Sequence, residues 1–102
     1  MTNPASAVFG FLFAASLFAA ENLPHEVADF IERREVCEHF RQEPWPEGAS
    51  VEDTERRAFI AGQFERFCRG SDNAIQELKK KYENDRAVME RLGQYEPNIE
   101  GK

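Results

Sequence analysis

A chain of 102 residues carrying 19 acidic against 13 basic side chains, for a net charge of -6, has room for one small domain. That acidity argues against nucleic acid as a partner and against adhesion to anionic membrane surfaces. Two cysteines and two histidines, neither pair at finger spacing, do not compose a zinc site.

Residues 1–20 contain no Asp, Glu, Lys or Arg, and every formal charge lies from Glu21 onward. The apolar run over 5–20 includes Phe9, Phe11, Leu12, Phe13, Leu17 and Phe18. It is shorter than the roughly twenty residues a membrane-spanning helix needs, so 1–20 reads as a signal peptide, with an uncleaved anchor as the second reading. The small residues Ala14, Ala15, Ser16, Ala19 and Ala20 offer several cleavage points without singling one out. Cleavage leaves no stable membrane insertion, and the expected location is periplasmic or secreted.

The domain over 21–95 is small enough to need help in holding a core. Cys37 and Cys68 both fall within it, and in an exported chain their default state is one intramolecular disulfide. Closing a loop of about thirty residues is worth roughly 3 to 4 kcal/mol in the chain-entropy model.

Helical periodicity organises this domain. Leu23, Val27, Phe30, Ile31, Cys37 and Phe40 recur at three- and four-residue steps and predict a helix over 24–41. Pro44-Trp45-Pro46 blocks its continuation and predicts an extended linker loosened by Gly48. Ser50 followed by Asp53 is a capping box that opens a second helix. The face of that helix carries Ile60, Phe64, Phe67 and Cys68, widened by Phe59 and Ala61, before Gly70 stops it. Ser71 or Asp72 caps a third helix bearing Ile75, Leu78 and Tyr82. After an interruption at Asn84 or Asp85, Val88, Met89 and Leu92 form a fourth. Residues 96–102, with Pro97 and Gly101, read as a flexible tail. The expected fold is all-α: a small three- or four-helix bundle with one disulfide, preceded by the signal segment.

Glu32-Arg33-Arg34 before Cys37-Glu38-His39-Phe40-Arg41, then Phe67-Cys68-Arg69-Gly70-Ser71-Asp72 and Leu78-Lys79-Lys80-Lys81-Tyr82, resemble small exported two-cysteine helical proteins of Gram-negative bacteria. The resemblance spans about 27–95. It implies a periplasmic or secreted helical protein with a disulfide, and lends no reaction, cofactor or catalytic residue.

Material for catalysis is sparse. After residue 20, Ser50, Ser71 and Thr54 all read as caps or first-turn residues, and the glycines are isolated, so neither a hydrolase triad nor a phosphate loop is expected. The chain is read as a non-enzyme without a cofactor.

Two residues stand out as candidate partner-binding positions. His39 has Glu35 and Glu43 four residues to either side, an incomplete metal shell that reads more simply as a charged helix face. Trp45, between two prolines, would bind a protein at little ordering cost. The favoured alternative folds its indole back over the small core.

Charge is also uneven: 11 acids and 3 bases lie over 21–55, against 8 acids and 10 bases over 56–102. The plain reading packs the acidic first helix beside the more basic later ones, with exposed pairs such as Glu77 and Lys81 along a helix; the sharper one is an acidic surface for a basic partner. The functional expectation is an envelope interaction or accessory protein, with an inhibitor or immunity-like binder of an envelope enzyme as the second reading and a small hydrolase as a remote third.

Overall fold

The computed structural model describes residues 22–101, and the expected signal segment lies outside them. The described residues are helical with no strand: α1 (His25–Arg41), α2 (Val51–Gln63), a π-helical turn (Phe64–Cys68), α3 (Ser71–Lys81) and α4 (Arg86–Leu92).

Each boundary has a local cause. The Pro24 carbonyl accepts from the amides of Val27 and Ala28 at the start of α1, where proline's fixed φ suits a helix entry. Ser50 Oγ accepts from the Asp53 amide at 3.0 Å to open α2, and Asp85 Oδ1 accepts from the Val88 amide at 3.2 Å to open α4. Gly70, at φ 85°, makes the left-handed turn between the π-helical turn and α3, a conformation in which a side chain would be strained.

The largest core cluster joins α1, α3 and α4 through Val27, Phe30, Ile31, Ile75, Leu78, Val88 and Leu92, closed by Tyr95. Burying aliphatic side chains of this kind contributes about 1.5 to 3 kcal/mol each. A second cluster lies further along α1 and consists of Cys37, Cys68 and Ile99, with Phe64 and Phe67 packed against it. Cys37 and Cys68 form the expected disulfide, with Cα atoms 5.0 Å apart.

The π-helical turn departs from the second helix read in the sequence. Its i→i+5 bonding, seen in the Arg69 amide donating to the Phe64 carbonyl at 3.1 Å, admits an extra residue and rotates the later side chains relative to the face defined by Ile60. Arg33 of α1 donates to the Arg66 carbonyl at 3.0 Å, so a side chain from the neighbouring helix supports the widened turn. Packing against α1 therefore falls largely to this turn, and within α2 itself only Ile60 is buried.

Between the two clusters sits Arg34, with only 1 % of its surface exposed. Its guanidinium donates in three directions: to Glu38 at 2.8 Å, to Ser71 Oγ at 3.1 Å and to the Glu96 carbonyl at 2.7 Å. It also lies 5.5 Å from the centroid of the Tyr95 ring, within cation–π range. One buried cation thus ties α1 to the start of α3 and to the segment after α4.

Residues 96–101 correct the expected flexible tail, because they are docked. Ile99 is 5 % exposed and belongs to the disulfide cluster. The Glu100 carboxylate accepts from the Gly70 amide at 3.0 Å and the Asp72 amide at 2.8 Å, which caps α3 from a distance. Asp72 reciprocates by accepting from the amides of Ile99 at 2.8 Å and Glu100 at 3.2 Å. The expected cap at Ser71 or Asp72 is therefore replaced: Ser71 is the first residue of α3 and spends its hydroxyl on Arg34. This is a capping box whose halves lie 28 residues apart in the chain.

Some of the charge pairing runs between helices. Glu26 of α1 meets Lys81 at 2.5 Å and accepts from the Tyr82 hydroxyl at 2.5 Å, so Lys81 reaches across to α1 rather than along its own helix to Glu77. Lys81 and Tyr82 hold the Glu26 carboxyl below its usual range, while Glu26 raises both of them. Tyr95 donates to Glu35 and accepts from Arg91; burial first, then the Glu35 carboxylate, pushes its phenol above the ordinary value.

Replacing Arg34 with Ala should lower unfolding free energy by about 3 kcal/mol, since it removes the Arg34 donor from Ser71 and the Glu96 carbonyl and leaves Glu38 with Arg41 alone. Arg34→Lys should recover little of this, because an ammonium cannot reproduce the planar fork; urea titration followed by circular dichroism checks both. Ile99→Asp should speed reduction of the Cys37–Cys68 bridge by dithiothreitol while leaving the helical spectrum in place. An unchanged reduction rate would show that Ile99 does not shield the bridge.

Candidate functional site

The linker between α1 and α2 is fixed by arginines from the middle of α2. Arg57 donates to the Pro46 carbonyl at 2.7 Å and to the Gly48 carbonyl at 2.8 Å, with Thr54 as a third partner at 3.2 Å. Arg56 holds Glu43 at 2.7 Å. A β-carbon at Gly48 would meet the Asp53 carboxylate, which would have to swing aside, so the linker passes close to the helix start here. With Pro44 and Pro46 limiting φ on either side, Trp45 is presented on a backbone restrained at both ends.

Trp45 is 48 % exposed, which corrects the expectation that its indole covers the core. The reason lies in the π-helical turn and residues 96–101: Phe64, Phe67 and Ile99 already cover the second cluster that the indole would have served. Trp45 shares this end of the molecule with Phe59, also 48 % exposed, and Val51, 70 % exposed. Phe40 at the end of α1 meets Phe59 edge to face at 5.7 Å, and Arg56 lies 5.2 Å from the Phe59 ring.

His39 lies at the margin of this surface. Its imidazole sits 3.3 Å from Glu43, with a side chain 63 % exposed, and packs edge-on to Phe40 at 4.9 Å. Glu35, the other carboxylate that the spacing places beside it, turns instead to Tyr95. The structure thus brings His39, Phe40, Glu43, Trp45 and Phe59 to one end, and places the Cys37–Cys68 bridge inside. Among the described residues, no group of three or more His, Cys, Asp or Glu side chains is arranged to hold a metal ion.

A groove of about 350 Å³ runs between the π-helical turn and residues 96–101, floored by Phe64, Cys68 and Ile99. Its charged walls are already engaged: Arg69 with Glu65 at 2.5 Å, Arg41 with Glu38 at 3.0 Å, and Glu100 with two backbone amides. The exposed aromatic end is the better candidate, since exposed rings on a restrained frame are what hot-spot anchoring requires. In the sequence, Phe59 reads only as a residue that widens a core face. It lies one residue before Ile60, which alone in α2 is buried, so the two side chains leave the helix in different directions.

Comparison with protein-family models, with curated proteins and with solved structures finds no match to this chain.

Trp45→Ala should change unfolding free energy by no more than about 0.5 kcal/mol, as for other exposed positions without a network role. Arg57→Ala should release the linker, seen as a fall in the fluorescence anisotropy of Trp45 with little loss of helix signal. A large drop in stability for Trp45→Ala would return the indole to the core.

Proposed function

We propose that this protein is an exported, non-catalytic accessory domain that docks a protein partner through Trp45, Phe59 and the adjoining end of α1. The observation that carries the proposal is the exposure of Trp45 on a linker held by Arg57 and Arg56. A restrained tryptophan loses little conformational freedom on binding, so more of its burial appears as affinity.

Export rests on the charge-free run over 1–20 and on the two cysteines, which are bridged; among the described residues, no helix is long and apolar enough to cross a membrane. A periplasmic or secreted location fits a domain that relies on a disulfide, in keeping with the resemblance to small exported two-cysteine proteins. The inhibitor reading draws on the same loop: residues 43–48 are restrained enough to enter a partner's cleft.

The test uses the full exported protein as bait in an envelope extract from the source cells, beside a Trp45→Ala bait of equal stability. A partner retained by the first and lost by the second is the expected result. Equal retention by both baits would remove the aromatic end from the interface.

A further inference from the structure

The carboxylates around the aromatic end specify the chemistry of the occupant. Over 43–55 the chain carries Glu43, Glu47, Glu52, Asp53 and Glu55 and no Lys or Arg. Glu43 is engaged by Arg56 and His39, and Asp53 lies against Gly48. Glu47, Glu52 and Glu55 are exposed, and their carboxylates have no ion pair or side-chain hydrogen bond among the described residues.

The nearest cations are already engaged, although Arg56 keeps 45 % of its side chain exposed. Arg57 is committed to the linker carbonyls, and Arg56 to Glu43 and the Phe59 ring. On α2, Val51, Glu55 and Phe59 recur at four-residue steps and share one face, so exposed apolar and anionic groups alternate along it. The unpaired outward charge here is therefore negative, and the outward bulk is aromatic.

Resting on the docking role proposed above, we infer that the partner is a polypeptide segment with lysine or arginine side chains flanking an apolar anchor. The anchor packs on Trp45 and Phe59, and its cations meet Glu47, Glu52 and Glu55. An acidic segment would bring like charges together over the same rings, which makes the rim selective as well as attractive.

Because Trp45 is the only tryptophan in the chain, its emission reports occupancy directly. Three synthetic peptides serve as probes: an amphipathic Lys/Leu peptide, its Glu/Leu counterpart and a Lys/Ser peptide without an apolar face. The Lys/Leu peptide should shift Trp45 emission at saturation and bind more weakly as salt rises, with the other two far weaker. Glu47→Gln, Glu52→Gln and Glu55→Gln combined should weaken its binding roughly tenfold. A control triple at Glu32, Glu83 and Glu90, which removes the same net charge elsewhere, should leave binding within about twofold.

Equal weakening by the control triple, tight binding of the Glu/Leu peptide, or no binding of the Lys/Leu peptide would each overturn the inference. A concentration-dependent mass in sedimentation without peptide, abolished by Trp45→Ala, would overturn it in favour of a second copy of this chain. The two readings fail separately. An extract partner lost with Trp45→Ala but held equally by the Glu47, Glu52 and Glu55 triple variant sinks the basic chemistry alone, whereas a partner indifferent to Trp45 sinks the docking face itself.

Discussion

Arg34 is the constraint on which the arrangement depends. A guanidinium buried to 1 % exposure is tolerated only if its donors are used, and its partners come from three parts of the chain: Glu38 on its own helix, Ser71 at the start of α3 and the Glu96 carbonyl after α4. Satisfying one residue therefore fixes where α3 begins and where the final segment lies. The apolar clusters on either side contribute most of the burial, but they are not directional. Arg34 supplies register between them.

The disulfide acts on a different scale. It joins α1 to the end of the π-helical turn across 31 residues, limiting the unfolded chain more than it orients the folded one. Orientation around it comes from the wide turn supported by Arg33 and from Ile99 seated over the sulfurs. With that space filled from within, the aromatic residues of the linker and of α2 have no interior place to occupy. The exposed end is thus a consequence of how the core was completed.

The helical class, the cap at Ser50, the break near Asp85 and the stop at Gly70 were legible from the chain because each depends on near neighbours, and the cysteine pair because two cysteines allow one intramolecular bridge. Arg34 was only half legible: it occupies the gap that the α1 stripe leaves between Ile31 and Cys37, where a charge signals either an error in phase or a buried partner. The π-helical turn left no local mark, since Phe64, Phe67 and Cys68 fit an ordinary helical face equally well. The docking of residues 96–101 was hidden for a third reason. Glu100 and Asp72 cap each other across 28 residues, and Pro97 and Gly101 nearby suggest looseness when read alone. Trp45 obeys the same logic, its exposure decided by competitors for the core elsewhere in the chain.

Ile99 and Glu100 come after both cysteines in the order of synthesis, and this gives the final segment a place in time as well as in space. A chain emerging from its N-terminus presents Cys37 and Cys68 before their cover has been made. During that interval the sulfurs are uncovered, and α3 lacks the carboxylate that caps its first turn. Residues 96–100 seat Ile99, cap α3 and offer the Glu96 carbonyl to Arg34. The cover over the bridge is thus supplied by residues that follow both cysteines in the chain.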